Sequence, residues 1–214
     1  MISPTPEPEG PYLDLEREAI ATLAQHTTME AELILVRDEG CLAESYNKGF
    51  KMAKGNLYAC LHNDVIVPEG WDETMTPVAQ AGDVAMPMLQ EGYAYPGIPH
   101  WSERDCPPSQ FDAPASNFMI SAELFNRLDG FDEDFKPYHG EDIDLFLRAS
   151  LEGAKLVRCD VTFRHFKGVS RKSPEEDKRV LEQVWKTYKA KWGEKPPIMR
   201  CSPIPGTLSP QEET

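Results

Sequence analysis

Apolar residues recur along this chain at two spacings, and the alternation between them predicts a layered α/β protein. Residues 13–25, LDLEREAIATLAQ, place apolar positions on one face of a helix. Residues 31–36, AELILV, form a short continuous apolar run, as a buried strand does. A second helical pattern covers 43–55, with Gly55 as its expected stop, and a second strand follows at 56–64. A short helix limited by Pro77 is expected over 70–80, then a strand over 82–89.

The pattern breaks over residues 90–114, which carry five prolines and no clear periodicity. Loops of that length inside a compact domain tend to be functional or disordered. The aromatic residues Tyr93, Tyr95 and Trp101 favour a binding loop over a linker. Regular elements return with a strand at 116–121, a helix at 122–130 ending on Gly130, and an amphipathic helix at 141–154 with Gly153 near its C-terminus. Residues 155–166 read as a strand with a bend at Asp160. The last helix spans 173–193: Ser173 can cap it, Pro174 suits its first position, Glu176 completes a capping box and Gly193 ends it. The proline-rich ends, 1–11 and 196–210, are expected to be extended or frayed. Strands alternating with helices imply an α/β sheet, largely parallel and flanked by helices.

A length of 214 residues suits one domain with appendages. The net charge of −14 is unevenly spread. Residues 1–150 hold 9 Lys and Arg against 27 Asp and Glu, a balance of −18; residues 151–214 hold 13 against 9, a balance of +4. An acidic body argues against a nucleic-acid groove. The basic end is either a solvated helix face or a contact for something anionic. Five cysteines, an odd number without the close spacing of zinc sites, point to a reducing, cytoplasmic setting. Cys60 and Cys159 lie in strand-like runs and read as small core residues. The opening MISPTPEPEG has no apolar signal segment, and no apolar run approaches the ~18 residues of a membrane span. A soluble protein is expected.

Three polar constellations interrupt this pattern. His62-Asn63-Asp64 stands at the C-terminal end of a strand, where α/β sheets bind ligands. Asp64 is either a turn residue that ends the strand or a ligand for a hard divalent cation and its phosphates. Gly140-Glu141-Asp142-Ile143-Asp144 opens a helix. Acids there complement the helix dipole, and Asp144 is expected to pair with Arg148 on the surface. Gly140 allows close approach of a ligand, and a carboxylate at this point could take a proton from a hydroxyl. His165, followed by Lys167, Arg171 and Lys172, is either structural or a metal ligand beside cations that could neutralise a diphosphate.

In order and spacing, these motifs resemble the inverting glycosyltransferases of family 2, which have the GT-A fold, over residues 13–172. The matching features include LILVRDEG, Asn47-Lys48-Gly49, Ala53-Lys54-Gly55, PEGW, GFDEDF and GEDIDLFLRA. The resemblance implies a mixed, mostly parallel sheet in a domain over 1–172, a helix packed on it at 173–193, and a proline-rich tail at 194–214. It implies transfer of a sugar from a nucleoside-diphosphate sugar to an acceptor hydroxyl, with inversion. Asp38 and Glu39 would contact the nucleotide base, and Thr5, in the shortened first strand, would complete that pocket. Asn63, Lys167, Arg171 and Lys172 would serve the donor, while Asp64, His62 and His165 would hold Mg²⁺ or Mn²⁺. Asp142 would be the base, with Glu141 beside it; Tyr93, Trp101 and Gly140 would line the acceptor side. His62 stands where the family has an acid. The acceptor could be a glycan, a lipid-linked sugar, a protein or a modified base. A nucleotide-sugar-binding protein without turnover is the alternative. A sugar nucleotidyltransferase fits less well, because MISPTPEPEG has one glycine and no basic residue to hold a triphosphate.

Overall fold

The computed structural model describes residues 2–3, 9–37, 40–90, 117–166 and 174–194. They run in the order β1 (Ile2–Ser3), α1 (Pro11–His26), β2 (Val36–Arg37), α2 (Leu42–Met52), β3 (Leu57–Cys60), β4 (Val65–Ile66), α3 (Trp71–Gln80), β5 (Val84–Gln90), β6 (Phe118–Ser121), α4 (Ala122–Arg127), α5 (Glu141–Leu151), β7 (Leu156–His165) and α6 (Pro174–Trp192). One sheet has the order β3-β6-β5-β7-β4, and β1 and β2 form a separate parallel ribbon. β5 and β7 are parallel, while β3–β6, β5–β6 and β4–β7 are antiparallel. The result is an open mixed sheet covered by helices, the α/β class expected, although three of the four pairings in the main sheet are antiparallel where a largely parallel sheet was expected. No helix of the described residues is long and apolar enough to cross a membrane.

Side chains on a strand alternate between faces, so each central strand feeds two cores. Val84, Met86, Phe118 and Ile120 pack with Tyr46 of α2, Phe125 of α4 and Phe146 of α5. Ala85 and Met119, the residues between them, pack on the other side with Leu23 of α1 and Trp71 and Met75 of α3. Cys60 and Cys159 are free and buried in these cores, as is Cys41. Helix α6 adds an outer layer, in which Val180, Val184 and Tyr188 meet Phe135 and Leu147.

The β5–β7 ladder is interrupted between Met86↔Arg158 and Met88↔Thr162. Pro87 lies at the break and has no amide hydrogen to donate, so the ladder cannot run straight through it. β7 accommodates this around Asp160, where the bend was expected.

Several boundaries differ from the sequence pattern. Only Val36–Arg37 of the apolar 31–36 run is strand. Its sole described strand partner is the two-residue β1, and Leu33 and Leu35 are left exposed. Helix α2 stops at Met52, before Gly55, and β3 stops at Cys60 rather than at residue 64. Pro11 belongs to α1, at its start, where a missing amide hydrogen costs nothing. Helix α3 runs through Pro77 to Gln80, with that proline exposed.

The Asp144–Arg148 pair forms, with Nε 2.8 Å from Oδ2, but not on the surface: Asp144 is fully buried. Its other oxygen accepts from the Trp192 indole at 2.9 Å and lies 2.8 Å from the Lys191 ammonium, both on α6. Arg148 also donates to the carbonyls of Leu128 and Gly130, at 2.6 and 2.8 Å. Replacing Asp144 with Ala leaves Arg148 without its carboxylate and the Trp192 indole without its acceptor, while Lys191 keeps its pair with Asp132 at 2.5 Å; it should lower the unfolding free energy by about 3 kcal/mol in denaturant titration.

Gly140, at φ +85°, begins α5, and a Cβ there would stand 2.7 Å from Val184 Cγ1 and 2.9 Å from Phe135 Cδ1. Close approach of α6 therefore requires the glycine. Gly153 has a similar φ of +92° but open space around it. Gly153→Ala should cost ~1–2 kcal/mol from backbone strain alone, and Gly140→Ala about 2 kcal/mol more from overpacking, measured by the same titration.

Candidate functional site

The site is built on the shortest strand of the main sheet. In β4, Val65 pairs with His165 and Ile66 with Arg164 of β7. The Phe166 amide donates to the Asp64 carbonyl at 3.0 Å, closing the pair on the side of the site. This pairing brings together residues a hundred positions apart. His165 Nε2 lies 3.4 Å from Asp64 Oδ1, and His62 Nδ1 lies 3.9 Å from the same oxygen. One potential ligand atom from each of the three falls within 4.8 Å of the others.

Asp64 and His165 are each only 6% exposed, and Asp64 Oδ1 is buried with no hydrogen-bond partner. A buried carboxylate oxygen in that condition is costly unless a cation meets it. Burial works against the charge on Asp64, but His165 and then His62 outweigh it and hold the carboxyl below its ordinary pKa. Burial drives His62 down to about 4, aided by His165 and opposed by Asp64. Both trends leave the groups as metals require them, with the carboxylate ionised and the His62 imidazole neutral. The set fits a divalent cation.

Neighbouring side chains fix this cluster. The His62 amide donates to Asn117 Oδ1 at 3.1 Å, and its ring stacks on Tyr46 with centroids 6.2 Å apart and planes at 10°. Asn63 donates to Glu16 at 3.2 Å, and Glu16 receives Arg37 at 2.5 Å. Asn63 thus links the cluster to α1 and β2. The Asn-Lys-Gly motif acts nearby: the Asn47 amide group donates to and accepts from the backbone of Phe131, both at 2.9 Å. A Cβ on Gly49 would stand 3.0 Å from Val36.

The second constellation stands at the start of α5. Glu141 is buried, and burial pushes Asp142 up to about 6, opposed by the Ile143 amide and by His139. Tyr46 joins the two constellations. Burial, the Cys60 thiol and the carboxylates of Glu141 and Asp142 together raise its hydroxyl well above the ordinary value, while its ring lies on His62. The acid pair and the His-Asp-His cluster therefore flank one aromatic residue. Gly140 is filled around by Val184 and Phe135.

Thr5, Asp38, Glu39, Tyr93, Trp101, Lys167, Arg171 and Lys172 lie outside the described residues. The pattern overlooked Tyr46, Asn117 and Glu16. Glu16 left a signal: it falls within the stripe formed by Tyr12, Leu15, Ala19 and Leu23, where a charge needs a buried partner. Tyr46 and Asn117 left none, because an aromatic on an apolar helix face or an Asn before a strand has an ordinary structural use.

The family described as the N-terminal domain of galactosyltransferase matches residues 110–172, the stretch from before β6 to past His165. The chain is similar in structure to the catalytic domain of Drosophila β1,4-galactosyltransferase 7 in complex with xylobiose. The TM-score is 0.57 at 16% identity, with 83% of this chain and 77% of that one covered. The chain has the GT-A glycosyltransferase fold. Other GT-A structures agree. S. aureus TarS 1-349 gives a TM-score of 0.51 at 15% identity, covering 86% of this chain and 63% of that one. GalNAc-T7 with UDP, GalNAc and Mn²⁺ gives 0.52 at 15%, covering 88% and 43%. The chain thus spans less than two thirds of the TarS structure's length. No curated protein matches it in sequence. The likeness read from the sequence holds at the level of the GT-A fold.

Saturating Mn²⁺ should stabilise the protein by about 2.7 kcal/mol at a hundred times its dissociation constant, or roughly 5–10 °C in Tm at this size. Asp64→Ala should remove that rise in a thermal-shift experiment.

Proposed function

We propose that this protein is a glycosyltransferase that moves a sugar from a nucleoside-diphosphate sugar to an acceptor hydroxyl, with inversion. The observation that carries the reading is Asp64 Oδ1, buried and without a hydrogen bond between His62 and His165. On a GT-A fold, an orphaned carboxylate oxygen at a strand end is the expected seat of a cation. UDP and Mn²⁺ in the GalNAc-T7 structure support a similar donor and metal here.

A divalent cation held by Asp64, His62 and His165 would neutralise charge on the leaving diphosphate. Asp142 takes the proton from the acceptor hydroxyl as that oxygen attacks the anomeric carbon, and the carbon–oxygen bond to the diphosphate breaks. A carboxyl raised to about 6 remains ionised at neutral pH and is a better base than an ordinary one. Glu141, buried beside it, keeps the helix start acidic. Asp38, Glu39, Thr5 and Asn63 are assigned to the donor, together with Lys167, Arg171 and Lys172. Tyr93 and Trp101 are assigned to the acceptor side; Gly140 instead makes room for α6. The buried free cysteines support a cytoplasmic setting.

The test is a panel of nucleotide sugars with Mn²⁺, read as donor hydrolysis and then as transfer to acceptors. Release of free sugar and nucleoside diphosphate is expected; a protein that binds donors but never cleaves one is a binding protein instead. Asp142→Asn should abolish transfer while donor affinity changes little, and undiminished turnover would remove Asp142 from the role of base. In the wild type, kcat/KM should rise with pH through a limb near 6, because the protonated carboxyl cannot accept a proton. The folded state binds this proton more tightly than the unfolded chain, so folding stability falls as pH rises between about 4 and 6. Asp142→Asn should therefore equal or exceed the wild type in Tm at pH 7.5, and the gap should close below pH ~4.

A further inference from the structure

We propose that this protein carries a second ligand site, walled by α2, α4, α5 and α6, which binds a neutral saccharide. It is distinct from the reaction centre and does not depend on the transfer reading. Arg148, which helps to line it, stands well down α5 from Asp142, roughly 9 Å along the helix axis at about 1.5 Å per residue.

The site is an open cavity of about 540 Å³, a size that holds a small ligand. Ligand pockets are usually lined by apolar side chains, but here polar ones predominate. Lys51, Arg148 and Lys191 line the cavity together with Asp129, Asp132 and Glu133, three charges of each sign. An ionic ligand would be attracted by one set and repelled by the other. A hydroxyl group both donates and accepts, so a neutral molecule rich in hydroxyls satisfies both sets at once. Phe50, Phe125 and Phe131 supply apolar surface for the C–H face of a sugar ring. Arg148 bonds Asp144 through Nε and the carbonyls of Leu128 and Gly130 through Nη1, but its Nη2 is buried without a hydrogen-bond partner. A buried cationic N–H in that state is costly, and a ligand oxygen would relieve it. Much of the lining is fixed in advance, which lowers the cost of binding. Asn47 holds the Phe131 backbone and donates to Glu133, each at 2.9 Å, and Lys191 holds Asp132 at 2.5 Å. The exposed side chains of Lys51, Asn126 and Asp129 have no partner among the described residues and are available to a ligand.

The full chain, isotope-labelled, is titrated with lactose, cellobiose, maltotriose and chitobiose while NMR follows its amides and arginine side chains. At least one saccharide should give saturable shifts at residues 126–133 and at the Arg148 guanidinium. UDP in excess should not displace it, and inorganic phosphate should give no comparable shift. Replacing Lys51 and Asn126 together with Ala should weaken binding by about 10-fold at unchanged Tm, the loss of two ordinary hydrogen bonds. No saturable shift with any of the saccharides overturns the proposal. So does binding that UDP competes away, or that the folded double variant keeps in full. Tighter binding of phosphate than of any saccharide makes the cavity an anion site and overturns it as well. Saccharide binding in a protein that cleaves no nucleotide sugar leaves this inference standing and removes the transferase reading.

Discussion

A single carboxylate without solvent exposure, Asp144, holds the working half of the molecule in place. It receives Arg148 from its own helix and Lys191 and Trp192 from α6. Arg148 extends the junction to the backbone at Leu128 and Gly130, and Asn47 grips the next residue, Phe131. A buried charge stabilises only if its partners offset the loss of water. Here three donors from two helices do so, so the start of α5 cannot shift without breaking a charge pair. Asp142 stands two residues before this anchor, and its position follows from it.

The other half of the site depends on backbone pairing instead of charge. β4 contributes two residues, yet its ladder with β7 puts Asp64 beside His165. The Tyr46 ring is near-parallel to that of His62, and its hydroxyl feels the charges of Glu141 and Asp142 at the start of α5. The cluster joins elements on either side of β5 in the chain, β4 before it and β7 after it, so the pairing that assembles it is long-range. Both sets of carboxylates sit in low-dielectric surroundings, but with opposite results. Neighbouring imidazoles keep Asp64 ionised, whereas Asp142 is left to burial.

Much of this was legible in the sequence because it follows from periodicity. Helices α1 to α6, the bend at Asp160 and the burial of Cys60 and Cys159 all correspond to spacing, glycine or proline signals. The 31–36 run was misread because apolar character marks a strand without supplying its partner, and only Val36 and Arg37 have one. Asp144 was misplaced for a related reason. Its i,i+4 relation to Arg148 is a local signal, but its burial comes from α6, more than forty residues away. The metal-ligand cluster was readable through resemblance, since nothing local to His165 says that it meets Asp64. Gly140 shows the reverse case: the need for glycine was visible, but the cause is Val184 and Phe135 pressing on it.

The break in the β5–β7 ladder has an arithmetic consequence. Between the paired positions on either side of Pro87, β5 advances by two residues and β7 by four. The difference is even. Because strand side chains alternate with period two, an even offset conserves the face on which every later residue lies. Cys159, Val161, Phe163 and His165 all remain on one face. Insertion or deletion of a single residue here would exchange the two faces and turn His165 away from Asp64.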